Sequence, residues 1–75
     1  MNWDHELDAR GLLCPLPVLK ARKRLKDMQS GQVLRLLATD PAAIIDVPHF
    51  CNESGHGFLG STELDDATAY LIQRT

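Results

Sequence analysis

The chain has 75 residues, of which ten are acidic and eight basic, and its formal net charge of −2 argues against broad binding to nucleic acid. Hydrophobic residues make up 44% of the chain, which favours a folded domain over a disordered tail. No apolar run approaches the roughly 20 residues of a membrane span, and two cysteines are too few for a disulfide scaffold. We therefore predict one small domain, residues 1–75, in a reducing cytoplasm, with two free thiols and no signal peptide in its polar, acidic start.

The first half of the chain is predicted to form a strand, a helix and a strand. Residues 5–10 alternate apolar with polar side chains, as a half-buried strand does, and Gly11 ends the pattern. Cys14-Pro15 predicts a helix start, because proline suits the first helical position and excludes its predecessor from the helix. We expect this helix to stop at Ser30-Gly31, before a nearly continuous apolar run at 33–38 that is typical of a central strand.

Asp40-Pro41 repeats the helix-start signal, with Asp40 as the cap and Pro41 in the first turn. The second helix then meets Pro48, which lacks a backbone amide and clashes with the preceding turn. We expect a kink or break at Val47-Pro48 and a short continuation through Cys51. Two glycines, Gly55 and Gly57, should end that piece.

The last strands are predicted at 58–59 and 69–72, and the turn at 64–66 should join them as an antiparallel hairpin. The element order is then β-α-β-α-β-β. The first two strands are joined through a helix, so they should be parallel, with a right-handed crossover. The predicted fold is α+β, a two-layer α/β sandwich with a mixed four-stranded sheet and both helices on one face.

Cys14 is the candidate reactive residue. At the N-terminal end of a helix the macrodipole favours the thiolate, the nucleophilic form, so we expect a lowered thiol pKa, helped by Lys20. The pKa of the thiol should be lowered only in part, because Pro15 and Pro17 have no backbone amide that could donate to the thiolate. Proline at position 17 also leaves no Cys-x-x-Cys pair, which argues against a dithiol oxidoreductase. The alternative is a buried structural cysteine that happens to precede a helix.

These residues resemble a family signature. The pattern Leu7-Asp8-x-x-Gly11-x-x-Cys14-Pro15-x-Pro17 is similar to that of the small TusA- or SirA-like sulfur carriers, and the similarity continues at residues 40–42, 46–51 and 70–72. It implies the same β-α-β-α-β-β fold. It also implies a sulfurtransferase whose turnover depends on partner proteins: Cys14 accepts sulfane sulfur as a persulfide and passes it on. The supporting motif residues would be Asp8, Gly11, Pro15 and Pro17.

The resemblance also implies the partners. The sulfur donor would be a cysteine desulfurase or a rhodanese, and the acceptor a DsrE-like sulfur-relay protein. Leu16 stands where many relatives of the tRNA-thiolation branch carry an acidic residue, so that branch stays open beside sulfur oxidation and molybdenum-cofactor supply. We expect a monomer with no cofactor, no membrane contact and no direct nucleic-acid contact. The alternative function is a non-catalytic regulatory or protein-interaction module that carries no sulfur.

Cys51 matches a second cysteine found in part of the family, and we interpret it as a small apolar core residue beside Phe50. A zinc site made by Cys14, His49, Cys51 and His56 can be imagined. Its spacing fits no established pattern, so we expect no metal.

Helical spacing predicts a docking surface on the first helix. At about 100° per residue, the side chains of Val18, Ala21, Leu25 and Met28 should face the sheet. The opposite side would then hold Leu16, Leu19, Lys20, Lys23 and Lys26. We interpret this as an apolar patch ringed by lysines beside Cys14, suited to an acidic partner. The alternative is that Leu16 folds back onto Leu12 or Leu13.

Overall fold

The structure is a computed structural model that describes residues 2–75. Within that range the elements follow the order β1 (His5–Ala9), α1 (Leu16–Lys26), β2 (Val33–Ala38), α2 (Ala43–Ser54), β3 (Gly57–Glu63) and β4 (Thr68–Gln73). The predicted α+β class and the β-α-β-α-β-β order are confirmed. No helix in the described part of the chain is long and apolar enough to cross a membrane.

The four strands form one mixed sheet in the order β1-β2-β4-β3. β1 and β2 run parallel, with Leu7 opposite Leu36, as the helical crossover between them predicts. β4 is antiparallel to β2 on one side and to β3 on the other. The C-terminal strand therefore lies inside the sheet, while β1 and β3 form its edges.

Both helices lie on one face of this sheet, and the core fills the space between the layers. The buried core residues come from α1 (Ala21, Leu25), from α2 (Ala43, Val47, Cys51) and from the strands (Ala9, Leu34, Leu36, Ala38, Tyr70, Ile72), with Met28 beside them. Each fully buried Leu or Ile contributes about 1.5–3 kcal/mol relative to exposure. The predicted sheet-facing stripe of α1 is confirmed at Ala21 and Leu25, and Val18 packs against the same cluster.

α1 ends earlier than predicted. Its last residue is Lys26, because the amides of Asp27 and Met28 bond to carbonyls three residues back, Arg24 and Leu25, and so tighten the chain into a turn. Met28 nevertheless reaches the core, where it is 4% exposed. The predicted stop at Ser30-Gly31 instead marks the turn into β2.

A kink or a break was expected at Val47-Pro48; α2 continues unbroken through Pro48 to Ser54, so a break is wrong. Val47 and Cys51 on either side of Pro48 are buried against the sheet, and this packing holds the helix together. Proline has no backbone amide to donate a hydrogen bond to the carbonyl of Ile44. Ile44 is an exposed residue in the first turn of α2. Gly55, with φ of +80°, caps the helix as predicted.

The hairpin strands are longer than predicted. Gly57, expected to end the second helix, is the first residue of β3, and β3 extends to Glu63. The register shifts between Phe58 and Gly60, where Gly60 has φ of +134°, a value that favours glycine. The predicted turn is confirmed: the amide of Leu64 donates to the carbonyl of Ala67 over 2.7 Å.

Candidate functional site

The site forms where two loops meet at one edge of the sheet. β1 and β2 are parallel, so their carboxyl ends, Ala9 and Ala38, are paired, and the loops that lead from them into α1 and α2 are neighbours. The amide of Gly11 donates to Oγ1 of Thr39 over 2.9 Å and ties the first loop to the second. Parallel strands thus bring Cys14 to the start of the second helix.

Asp40 makes the closest connection between the two loops. Its Oδ2 accepts a hydrogen bond from the amide of Cys14 over 2.6 Å, and its Oδ1 accepts one from the amide of Ala42 over 3.1 Å. Its backbone carbonyl accepts from the amide of Ala43, the first residue of α2. Asp40 was predicted as the helix cap with Pro41 in the first turn, and this is wrong by two residues: Ala42 is the cap, and no side chain bonds to the free amides of the helix. The carboxylate of Asp40 instead holds the turn at Pro41 and Ala42 that precedes the helix. The same carboxylate also positions the cysteine.

Cys14 is exposed and reduced, so the alternative of a buried structural cysteine is wrong. It is linked by a cis peptide bond to Pro15, which caps α1, and Leu16 is the first helical residue. The carbonyl of Pro15 accepts the amide of Leu19 over 3.0 Å. The helix start thus lies one residue later than predicted, and the thiol lies just beyond its N-terminal end.

The thiol of Cys14 donates a hydrogen bond to Oδ2 of Asp46 over 2.7 Å. This bond raises the pKa of Cys14 above its ordinary value, and removal from water and the negative charges of Asp46 and Asp40 act in the same direction. The expectation of a lowered pKa is therefore wrong. The hydrogen bond to Asp46 and the two nearby carboxylates favour the protonated thiol over the thiolate.

A groove opens beside the sulfur. It has a volume of about 360 Å³ and is lined by Cys14, Pro15, Val18, Asp46, His49, Phe50 and Glu53. Its surface is mostly apolar, with Pro15 and Val18 on the side of α1 and Phe50 on the side of α2. Its charged side chains, Asp46 and Glu53, are both acidic. A partner segment that enters it therefore meets an apolar floor and a negative rim.

Of the motif residues, Pro15 and Pro17 lie at the cysteine. Pro17 is buried beneath it and lines a narrow cleft together with Cys14, Asp40, Ala43 and Asp46. With its fixed φ, each proline restricts the backbone that carries the sulfur. Both prolines therefore lie at the cysteine, and the supporting role that the signature implies for them stays a prediction.

Asp8 and Gly11 lie outside the groove and shape the turn after β1. Both carboxylate oxygens of Asp8 accept from the guanidinium of Arg10, at 2.9 and 3.0 Å, and Arg10 also reaches Asp66 over 2.8 Å. The hydrogen bonds from Arg10 lower the pKa of Asp8 to about 2. Gly11 has φ of +80°, which a side chain would strain. These residues direct the chain toward Cys14.

Leu16 and Leu19 lie on the surface, as predicted, and are 45% and 48% exposed. Lys20 and Lys23 also lie on the surface, but they line a separate shallow groove with Leu7 and not the one beside Cys14. The expected effect of Lys20 on the thiol is wrong, because the charges acting on Cys14 are those of Asp46 and Asp40.

Sequence reasoning assigned no role to Asp46 or to the groove wall at Phe50. The sequence did contain a signal for Asp46. When two parallel strands each lead into a helix, the start of the second helix lies near the loop that precedes the first helix, so an acidic residue in that first turn can reach this loop. Three strongly exposed apolar side chains were also missed, Leu13 before α1 and Ile44 and Ile45 in the first turn of α2. They extend the apolar surface at this end of the sandwich.

Cys51 is 1% exposed in the core, which confirms its interpretation as a packing residue, and burial raises the pKa of its thiol to about 11. It forms no disulfide with Cys14. Residues 2–75 contain no group of three or more His, Cys, Asp or Glu side chains arranged to hold a metal ion.

The fold and the exposed cysteine define a class of small α/β sandwich that presents one thiol on the loop before its first helix. The fold matches that of the SirA-like protein from Desulfitobacterium hafniense, with a TM-score of 0.78 over 93% of this chain and 95% of that one at 22% identity. The sulfur carrier protein TusA of Allochromatium vinosum is 43% identical over 74 residues, which cover 99% of this chain and 97% of that protein. A relative from Neisseria meningitidis serogroup A is 46% identical over 67 residues, which cover 89% of this chain and 90% of its own. The chain belongs to the TusA sulfurtransferase family, whose model matches residues 5–74.

Proposed function

We propose that this chain, a sulfur carrier of the TusA family, holds sulfane sulfur as a persulfide on Cys14 and passes it to a second protein. The observation that carries the proposal is the contrast between its two thiols. Cys14 is exposed at the mouth of an apolar groove, while Cys51 is buried in the core. Only an exposed sulfur can be reached by the sulfur of another protein.

The transfer is a thiol exchange that needs no external oxidant. Sγ of Cys14 attacks the outer sulfur of a persulfide on the donor, a new S–S bond forms at Cys14, and the S–S bond of the donor breaks. The donor leaves as a thiol and takes up the proton that Cys14 gives up. In the second step an acceptor thiolate attacks the outer sulfur, and Cys14 returns to the thiol. One sulfur atom has then moved between two proteins.

This chemistry limits which kind of protein can act as the partner in each step. The donor must itself carry sulfane sulfur, as a cysteine desulfurase or a rhodanese does, and we propose one of these in that role. We propose a DsrE-like sulfur-relay protein as the acceptor. Each partner must bring its own sulfur within bonding distance of Cys14, and the groove beside it, with exposed Leu16 and Leu19 on the adjoining helix, offers apolar surface for that contact.

Intact mass spectrometry tests the assignment. The protein is incubated with a desulfurase and cysteine, or with thiosulfate and a rhodanese, and each sulfur atom bound should add about 32 Da. Cys14→Ser should abolish the adduct. Cys51→Ala should keep it; alanine is the better control at this position, since serine would place a hydroxyl in the core where Cys51 is 1% exposed. An adduct that survives Cys14→Ser and disappears with Cys51→Ala would overturn the assignment.

A further inference from the structure

The bond between Cys14 and Asp46 has a consequence for the direction of sulfur transfer. Asp46 lies in the first turn of α2, and its Oδ2 accepts the thiol proton of the empty cysteine over 2.7 Å. In a persulfide, Sγ is bonded to Cβ and to the outer sulfur, so it has no proton left to donate. Loading therefore removes the hydrogen bond and leaves the carboxylate facing a sulfur that can only accept.

The negative charge of the persulfide disfavours the loaded state further, beyond the loss of the hydrogen bond to Asp46. A persulfide is a stronger acid than its parent thiol, so near neutral pH the outer sulfur carries a negative charge. That sulfur stands about 2 Å beyond Sγ, close to the same carboxylate. The ionisable groups that face the sulfur are Asp40 from the loop before α2 and Asp46, His49 and Glu53 from α2, while Lys20 and Lys23 lie in a separate groove. Three of the four facing groups are carboxylates, so the loaded anion meets a negative surface.

We propose that Asp46 discriminates between the two states of the carrier: it stabilises the empty thiol through a hydrogen bond and destabilises the persulfide anion, so that sulfur placed on Cys14 tends to be released to an acceptor. This rests on the persulfide function proposed above. When the acceptor thiolate takes the outer sulfur, the Cys14 thiolate leaves, gains a proton from water and restores the bond to Asp46. The effect acts on the equilibrium, because a thiol that holds its proton more firmly is not a faster leaving group.

The test compares Asp46→Asn with the parent protein. Asparagine keeps the size of the side chain but removes the charge, and Asp46→Ala checks that the amide itself is not responsible. Asp65→Asn in the exposed β3–β4 turn is the matched control, since it makes the same change in net charge at a side chain that lines neither the cleft nor the groove at Cys14. Circular dichroism verifies that each variant is folded.

Two measurements read the two states separately. For the empty state, the rate of alkylation of Cys14 by iodoacetamide is followed against pH: in both Asp46 variants the midpoint should move to lower pH, and the rate at pH 7 should rise several-fold. A merely structural role would not move this midpoint. For the loaded state, each protein is equilibrated with a fixed mixture of glutathione and glutathione persulfide, and the persulfidated fraction is read by intact mass. That fraction should be larger in the Asp46 variants than in the parent and the Asp65→Asn control.

The outcomes separate this inference from the function on which it rests. If the parent protein takes up no sulfur on Cys14, the proposed function and the inference both fail. If the parent takes up sulfur but the Asp46 variants have the same alkylation midpoint as the parent, or the same persulfidated fraction, the inference alone fails. A smaller persulfidated fraction in the variants would also overturn it, since Asp46 would then stabilise the loaded state.

Discussion

Replacing Asp40 with alanine removes one carboxylate that accepts hydrogen bonds from two separate segments. Its Oδ2 holds the amide of Cys14 at 2.6 Å, and its Oδ1 holds the amide of Ala42 at 3.1 Å, just before α2 begins. The change therefore releases the loop that carries the reactive sulfur and weakens the start of the second helix. We expect Asp40→Ala to lower both the stability of the fold and the order of the Cys14 loop.

The magnitude follows from the two bonds. Loss of the longer bond, from the amide of Ala42 in the turn before α2, costs about 0.5 kcal/mol, the low end for a hydrogen bond. A hydrogen bond from an amide to a charged acceptor contributes about 1.5–3 kcal/mol, and the lower end applies here because the bond from Cys14 is exposed to water. The free energy of unfolding should fall by about 2 kcal/mol, a substantial share of the total for a 75-residue domain, which is on the order of 4–11 kcal/mol. Asp40→Asn keeps one acceptor oxygen, so it should lose about half as much.

Urea denaturation measures the effect. With an m-value of about 1 kcal/mol/M for a domain of this size, the midpoint for Asp40→Ala should fall by about 2 M. Amide hydrogen exchange at Cys14 should accelerate in the same variant, because that amide loses its acceptor. Asp65→Ala, in the exposed turn between β3 and β4, controls for the loss of one negative charge. A midpoint for Asp40→Ala that matches that of Asp65→Ala would refute the reasoning, as would unchanged exchange at Cys14.

The hydrogen bonds from Arg10 hold the pKa of Asp8 at about 2, below its ordinary 3.8, so the stabilisation they provide is present above about pH 4 and is lost as the pH falls through 2. Asp8→Asn should therefore lower the urea midpoint at pH 6 by a small amount, because the pair is exposed, and by clearly less at pH 2, where about half of Asp8 is protonated. An equal difference at both pH values would contradict this. The double variant Leu19→Ala with Lys23→Glu should slow sulfur transfer from or to a protein partner while leaving alkylation of Cys14 by a small molecule at the parent rate. Transfer at the parent rate, or an unfolded variant, would rule out that helix face as a docking surface.

The order of elements could be read from the sequence because its signals are local. Prolines at helix starts, glycines with positive φ at turns and alternating apolar residues act within a few positions of themselves, and they marked both helices and the strands. The parallel pairing of β1 with β2 followed from the single helix between them. The exposure of Leu16 and Leu19 followed from helical periodicity, since the opposite side of α1 was already needed for the core.

Local signals failed where packing outweighed them. Pro48 predicts a break, yet α2 continues, because burial of Val47 and Cys51 against the sheet offsets the bond that proline cannot make. β3 was predicted as two residues and extends from Gly57 to Glu63, since its pairing with β4 supplies hydrogen bonds that its own sequence does not signal. In both cases the deciding contacts come from other elements.

The sequence by itself determined the class of fold, the candidate cysteine with Pro15 and Pro17 after it, and the family to which the chain is similar. Only the tertiary structure decided the strand order, with β4 between β2 and β3, and the surroundings of the sulfur. Cys14 and Asp46 are 32 positions apart, and no periodicity or spacing links them. They meet because two parallel strands end side by side and each leads into a helix, so the sheet brings a carboxylate to the thiol and reverses the expected direction of its pKa shift.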